Sequence, residues 1–307
     1  MQKKEDEIIK HTYMSQLEIF IVEVTSRGPH GHDDLEIGIL LEGSLSLYLE
    51  HESHTLREGD IYIINRHQVH SFARTDGPNR ILAFQISTDL YRKINPSCSY
   101  LFFTNNIIRS GHLYNQLKGV LLSCAQMYFS DIPFSEMKCS SLVLEALFLL
   151  LNNSNYEITS KKDSTAARNN SLRFNRIMDY IATHYAEKLT LSEVAQTEGI
   201  TEYHLSHFIT KMLGVSFQEY VNQVRFEHAL HLVNETDLGF LDICMETGFS
   251  STRYLNKCFE KNFNCTAKQY LRMKTKPPQL KVALPTDNIQ TRYSLEQSAL
   301  LLHRFLQ

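Results

Sequence analysis

The chain has no apolar run that could cross a bilayer: its longest strongly apolar stretch, Ala146 to Leu151, is far shorter than the roughly 20 residues a spanning helix needs. The segment from Met1 to Lys10 is polar and charged and has no apolar core, so no signal peptide is expected. The six cysteines, Cys98, Cys124, Cys139, Cys244, Cys258 and Cys265, form no C-x-x-C pair. Together these absences point to a cytoplasmic protein with reduced, mostly buried thiols. Neither charge dominates: 31 Lys and Arg stand against 34 Asp and Glu, a net charge of −3. That balance excludes a uniformly basic nucleic-acid coat protein and leaves room for a local basic face.

What is there is a chain of 307 residues, enough for two domains, with 43% hydrophobic and 21% charged residues, the composition of an ordinary globular core. From about residue 17 to 95, short β-branched and aromatic runs (Glu18–Val24, Glu36–Leu41, Leu45–Leu49, Ile61–Ile64 and Ile81–Ile86) alternate with turn signals. Those signals are Arg27-Gly28-Pro29, Glu42-Gly43-Ser44, Glu58-Gly59-Asp60 and Asp76-Gly77-Pro78. Many short strands at this spacing predict a sandwich or barrel. Two helices follow. His112 to Phe129 carries Leu113, Leu117, Val120, Leu121 and Cys124 on one face, and Glu136 to Leu151 is apolar almost all round, which demands burial against another element or subunit. Asn152 to Ser171 is rich in Asn, Ser, Thr and Lys without apolar period and reads as a flexible linker. Helical patterning resumes from Leu172 to about Thr275. A tail with Pro277-Pro278 and Pro285 then leads to an amphipathic run, Ser294–Leu306, expected to pack back on the body.

The helical region contains a repeat. Val194-Ala195 recurs as Ile243-Cys244, and Gly199-Ile200 as Gly248-Phe249, 49 positions later. Past the turn the offset becomes 50, pairing Leu205 with Leu255, Lys211 with Lys261, Gly214 with Asn264 and Tyr220 with Tyr270. Each copy reads as helix, Gly turn, helix. Thr190 and Glu193 form a capping box at the first helix of copy one. Gly199 supplies the positive φ that stops that helix, and Thr201 caps the next. In copy two Gly248 makes the turn and Ser250 or Ser251 caps the second helix. Gly214 and Asn264 end the two second helices, Asn being the next-best residue after Gly at a left-handed position. A helix, a Gly turn and a second helix make a helix-turn-helix unit, whose second helix enters the DNA major groove.

The residues Asp242-Ile243-Cys244-Met245-Glu246-Thr247-Gly248-Phe249-Ser250-Ser251, with Tyr254-Leu255, Lys257, Phe259, Lys261, Thr266 and Tyr270 beyond them, resemble the signature of AraC/XylS-type transcription regulators. The resemblance covers about 100 residues. Cys244 stands where that family has Ala, Asn264 where it has Gly, and Ala267 where it has Pro, all turn-compatible or small. Leu271 stands where a phosphate-contacting Arg is usual, with Arg272 one step on. The resemblance implies base-facing positions at Tyr203, Ser206 and His207 in copy one and at Thr252, Arg253, Asn256 and Lys257 in copy two. Arg253 and Lys257 suit guanine O6 and N7, and Asn256 suits adenine. Charge divides the copies: Leu172–Thr247 holds five basic and eleven acidic residues, whereas Gly248–Lys276 holds seven basic residues and one acid, Glu260. Phosphate attraction is therefore expected mainly at copy two.

In the strand-rich region His30-Gly31-His32, Glu36 and Gly43, with Gly59-Asp60 and His70 further on, resemble the two cupin motifs. The second motif departs at Asn65, His67 and Arg74. In metal cupins three His and one Glu bind a divalent ion, so His30, His32, Glu36 and His70 are the ligand set the resemblance implies. Three readings stand: a metal doing chemistry, a metal for structure or sensing, or fold relics lining a small-molecule effector pocket. His51, His54 and His67 read as turn or surface histidines without a role.

The expected architecture is an α+β multidomain chain. A cupin-like effector-sensing β-barrel (1–105) is followed by a helical dimerisation segment (106–152), a linker (153–171), an all-α double helix-turn-helix domain (172–276) and a tail (277–307). The function read from it is that of a ligand-responsive, sequence-specific DNA-binding regulator, not an enzyme. It would work as a cytoplasmic homodimer that binds double-stranded DNA and a small metabolite such as a sugar, without resident cofactor or membrane contact, and would activate transcription through RNA polymerase. The alternatives are a repressor, a constitutive DNA-binding protein, and a metal-dependent cupin enzyme with an appended helical domain.

Overall fold

The structure, a computed structural model, describes residues 14–50, 52–130, 132–272 and 285–306. His51, Lys274, Lys276 and Pro277-Pro278, which entered the reading above, lie outside the described residues. The chain forms two compact units. One is built on the chain up to Ser26, His30–Leu172 and the segment from Ile289 on, the other on Arg27–Pro29 and Arg173–Asn288.

The first unit contains strands β1 (Leu17–His30), β2 (Leu35–Glu42), β3 (Ser44–Leu49), β4 (Glu52–Arg57), β5 (Ile61–Ile64), β6 (His70–Arg74), β7 (Arg80–Ile86), β8 (Leu101–Phe103) and β9 (Ile107–Ile108). All but β8 join one sheet in the order β4-β3-β6-β1-β7-β2-β5-β9, a cupin-like antiparallel half-barrel. Successive side chains of a strand point to opposite faces, and here both faces are covered. Ile37, Ile39, Ile61, Ile63, Leu82 and Phe84 face one core. Leu40, Tyr62, Ile64, Ile81 and Ala83, with Leu45, Leu47 and Leu49 from β3, fill a second. Double-sided burial explains why β2, β5 and β7 read as unbroken apolar runs.

Helices α1 (His112–Tyr128) and α2 (Ser135–Asn153) cover the first core, contributing Leu117, Leu121, Ala125, Leu142, Ala146 and Leu150. Of the two partners expected for α2, another element and another subunit, the chain itself supplies the first. One face packs within the chain, while Met137 and Phe148 are 74% and 64% exposed.

Three sequence readings change. Strand β1 runs straight through Arg27-Gly28-Pro29, which is no turn. Strands β4 and β6 were missed because β4 buries only Leu56 and β6 opens with His70 and Ser71. The stretch 153–171 is not free chain. Strand β10 (Tyr156–Ile158) pairs antiparallel with β8, and α3 (Lys161–His184) starts behind Ser160, whose hydroxyl accepts the Asp163 N–H at 3.1 Å. The first half of α3 is almost wholly exposed, so it leaves no apolar period in the sequence.

The second unit takes the rest of α3 and then α4 (Leu191–Thr197), α5 (Glu202–Leu213), α6 (Phe217–Glu235), α7 (Phe240–Thr247), α8 (Thr252–Phe263) and α9 (Ala267–Arg272). Helix α6 buries Phe217, Tyr220, Val221 and Val224 along its first half, and Phe226, Ala229 and Val233 along its second. The latter group shares a core with Ile243, Cys244, Leu255, Phe259 and Tyr270.

The tail returns to the first unit. Strand β11 (Ile289–Arg292) pairs antiparallel with β1, Arg292 pairs with buried Glu18 and covers the Phe20 ring at 4.2 Å, and α10 (Leu295–Leu306) inserts Leu302 into the core under α1.

Candidate functional site

The turn chemistry of both helix-turn-helix copies is as the repeat predicts. Thr190 and Glu193 close a capping box, and the Thr201 hydroxyl accepts the His204 N–H at 3.2 Å. Gly199, Gly214, Gly248 and Asn264 all have positive φ, from 54° to 76°. Ser251 is the N-cap of α8 but makes no side-chain cap bond; its carbonyl accepts the Tyr254 N–H at 3.1 Å.

Tyr203, Ser206 and His207 all lie on the exposed face of α5, with the Tyr203 and His207 rings 4.5 Å apart. On α8, Arg253 and Lys257 are exposed and Thr252 is half-buried. The Lys257 ammonium sits 5.3 Å from the Tyr254 ring centre, an exposed aromatic neighbour that the sequence reading left without a role. Asn256 differs from its neighbours: it is half-buried, and its Oδ1 accepts the backbone N–H of Ala267 at 2.9 Å. Its oxygen is thus held by the start of α9. A groove of about 380 Å³ runs beside α8, lined by Gln218, Asn222 and Arg225 from α6 and by Tyr254 and Lys257.

Ion pairing sharpens the charge contrast between the copies. Arg173 and Arg176 both bind Glu198, at 3.5 and 2.7 Å. Arg225 donates to the carbonyls of Tyr185 and Glu187 at 2.7 and 2.8 Å. Three of the five cations before Gly248 are thus bound within the unit. Among the described residues, Arg253, Lys257, Lys268 and Arg272 are exposed without an ion pair.

In the first unit, the end of β1, the following loop and the start of β6 bring three histidines together. One ring nitrogen of each of His30, His32 and His70 lies within 4.8 Å of the others. Gly31, between the first two, allows this approach, because a Cβ there would collide with Ser171 Oγ. The fourth expected ligand, Glu36, is turned elsewhere. Its carboxylate accepts the Tyr62 hydroxyl at 2.8 Å and Gln85 Nε2 at 3.2 Å, and touches the cluster only through His32 Nε2 at 3.2 Å. Burial pushes the Glu36 carboxyl up, but the His32 contact, the nearby His70 and the Tyr62 hydroxyl outweigh it and hold it near 2. Tyr62 and Gln85 carried no motif; they were findable only through the register that sets Glu36 opposite Gln85.

His67 lies in a turn, one of its two expected places, but not at the surface. It is buried, has φ of 63°, donates its backbone N–H to His32 O at 2.8 Å and places Nδ1 3.0 Å from the Asp33 carboxylate. That His67 bond holds Asp33 below the usual carboxylate range. His54 lies near the surface, 3.6 Å from Glu52, as expected. All six cysteines are free thiols, and no helix among the described residues is long and apolar enough to cross a membrane.

Residues 194–273 match the family model of a helix-turn-helix domain, and residues 21–122 that of an AraC-like ligand binding domain. The chain is similar to an uncharacterized HTH-type transcriptional regulator of Staphylococcus aureus strain MSSA476, 29% identical over 77% of this chain and 31% of the relative. It thus spans about a third of that relative's length. It is also similar to the HTH-type regulator YijO of Escherichia coli K12, 34% identical over 38% of this chain and 41% of that one. Among solved structures, the C-terminal domain of the response regulator AraT from Geobacillus stearothermophilus is 28% identical, covering 34% of this chain and 87% of that one with a TM-score of 0.32. ToxT of Vibrio cholerae O395 is 14% identical, covering 85% and 99%, with a TM-score of 0.36. With an AraC-like ligand binding domain followed by a helix-turn-helix domain, the chain belongs to the AraC family of HTH-type regulators.

Proposed function

We propose that residues 173–272 bind duplex DNA through two major-groove helices and that the half-barrel answers a small-molecule effector. The observation that carries the reading is the pairing of two matched exposed helix faces, of which the second is cationic and unpaired. Helix α6, with 19 residues, is about 28 Å long, stiff enough to hold α5 and α8 near one DNA turn apart. Tyr203, Ser206 and His207 read one groove, and Thr252, Arg253 and Lys257 the next. Copy two supplies most phosphate attraction. Asn256 is left out of the reading set because its oxygen is engaged.

The effector site is the region of His30, His32, Glu36 and His70. The face of α2 that exposes Met137 and Phe148 is the face for a second copy. Effector binding shifts the balance between two arrangements of the dimer in proportion to its differential affinity for them. The output is activation of transcription through RNA polymerase, the mode the family resemblance implies, in the cytoplasm.

The test is a salt titration of binding to the DNA upstream of the protein's own gene. Arg253→Gln with Lys257→Gln should reduce the slope of log K against log salt by up to about 1.8, since the two cations also screen the phosphates flanking the groove they enter. Lys188→Gln with Lys211→Gln in copy one should reduce it less. The opposite ranking, or no binding at low salt by the unaltered chain, would sink the reading.

A further inference from the structure

Arg225 lines the groove beside α8 from a half-buried position on α6. Its Nε and Nη2 donate to the carbonyls of Tyr185 and Glu187, which are neutral partners. Among the described residues no carboxylate pairs with this guanidinium, and its second terminal nitrogen is left as a donor. Burial pulls Arg225 below the usual arginine range, and no opposite charge offsets that burial. Lys257 brings a second cation to the same groove, its ammonium 5.3 Å from the centre of the exposed Tyr254 ring. Among the described residues that line the groove, none is acidic. Asn222 accepts the Gln218 carboxamide N–H through Oδ1 at 3.1 Å, so what it offers is its own NH₂ group. Cys258 also lines the groove, and burial pushes its thiol up, which keeps it protonated and neutral. Phe249, buried, and Tyr254 supply aromatic surface.

A half-buried charge without a counter-charge is costly, and an anion beside it offsets that cost. We propose that the groove between α6 and α8 binds a small organic anion with a flat aromatic body. Its acid group is held by Arg225 and Lys257, and its ring lies against Tyr254 and Phe249. Hydrogen bonds from cations to carboxylate or phosphate oxygens are the strong ones, so the acid group anchors the ligand. The volume of about 380 Å³ falls in the range of small-molecule sites, about 300–1,000 Å³. A bare phosphate would use the two cations and leave the rings idle. Lys257 also belongs to the α8 face that meets DNA in the reading above. A filled groove engages that ammonium and stands where the duplex must dock, so the helical unit carries an inhibitory ligand site of its own. This consequence rests on the DNA reading; the binding itself does not.

The test titrates the full chain with 2-naphthoate by calorimetry, with 2-naphthalenemethanol as its neutral twin and inorganic phosphate as the ring-free anion. Saturable binding of one naphthoate per chain at the groove is expected, with the alcohol and phosphate each at least about tenfold weaker. Lys257→Gln and, separately, Arg225→Gln should weaken naphthoate binding about tenfold or more, the loss of one charge-assisted bond. Lys268→Gln, a cation on α9 that does not line the groove, should leave it unchanged. Lys257 is exposed, so Lys257→Gln tests the site even where Arg225→Gln disturbs the fold, which circular dichroism reports. Bound naphthoate should also slow alkylation of Cys258 by N-ethylmaleimide, read by mass spectrometry, and leave the rate at Cys98 unchanged. At ten times its dissociation constant, naphthoate should weaken DNA binding roughly tenfold, and the alcohol should not. Absence of saturable binding, equal binding of the alcohol or of phosphate, or full-strength binding by the Lys257→Gln chain would overturn the site. A chain that binds naphthoate and DNA at once would overturn the inhibition, whereas one that binds naphthoate and ignores DNA at low salt would sink the DNA reading and uphold the site.

Discussion

Asn256 on α8 accepts the backbone N–H of Ala267, the first residue of α9, at 2.9 Å. The AraC-type pattern has Pro at position 267, and proline has no N–H to satisfy. Replacing it by Ala creates a donor at a buried helix start, and Asn256 is its acceptor. Two departures from expectation, the missing Pro and the inward-turned Asn, are therefore one feature. Asn256→Ala should cost about 1 kcal/mol in urea denaturation, the worth of one such bond. Ala267→Pro removes the donor and presets φ at a first helical position where proline is favoured, so it should stabilise by about 0.4–1 kcal/mol. In the Ala267→Pro background the Asn256→Ala penalty should largely disappear. Additive effects of the two changes would show that the contact carries no stability.

The two turn glycines have equal backbone geometry and unequal surroundings. Gly199 has φ of 65° and open space where a Cβ would go. Gly248 has φ of 76°, and its Cβ would lie 2.6 Å from the Ala186 carbonyl oxygen and 2.8 Å from that of Tyr185. Gly199→Ala should therefore lose only the left-handed penalty, about 1–2 kcal/mol. Gly248→Ala adds a backbone collision, worth about another 1–3 kcal/mol. Thermal melts of the two variants should separate them clearly, with Gly248→Ala the lower.

Much of this organisation was legible where one local rule fixes the answer. Gly214 and Asn264 marked helix ends because few residues tolerate a left-handed position, and Thr190 with Glu193 marked a start because the box is reciprocal. Strand β5 was read at its observed limits, Ile61–Ile64, since double-sided burial leaves an unbroken apolar run. What failed was pattern without burial: β4 and the exposed first half of α3 carry too few buried side chains to print a period. At the site, the cupin resemblance grouped His30, His32 and His70, but a resemblance says nothing of which partner this carboxylate prefers. The turn of Glu36 towards Tyr62 and Gln85 depends on strand register, a property of three strands at once.

Helix α2 leaves Met137 and Phe148 in solvent while its opposite face is packed. The two positions lie 11 residues apart, on the same helical face. Two large apolar side chains held in solvent on one face are the ground for the proposed dimer contact. Met137→Glu combined with Phe148→Glu should leave the unit folded, since neither side chain fills the core, and should shift the chain from dimer to monomer in sedimentation equilibrium. A monomeric unaltered chain, or a charged variant that still dimerises, would remove α2 from the proposed dimer.

Glu227 on α6 gives the helical unit a pH dependence of definite sign. Burial, with Asp287 nearby, raises its carboxyl from the usual 4.5 to about 7, against hydrogen bonds from Thr286 and Gln223 that pull the other way. The charged groups facing it are Asp287 and, 3.9 Å from that carboxylate, the His228 imidazole, which stacks on Tyr185 at 4.1 Å. The unfolded chain releases this proton near 4.5 and the folded chain holds it to about 7. Its stabilising contribution is therefore complete below 4.5 and is lost as pH rises through that window. Glu227→Gln, a permanent mimic of the protonated form, should flatten the fall in melting temperature between pH 4.5 and 7, with His228→Gln as the control for the neighbouring ring. A slope that survives Glu227→Gln and vanishes in His228→Gln would assign the titration to the imidazole.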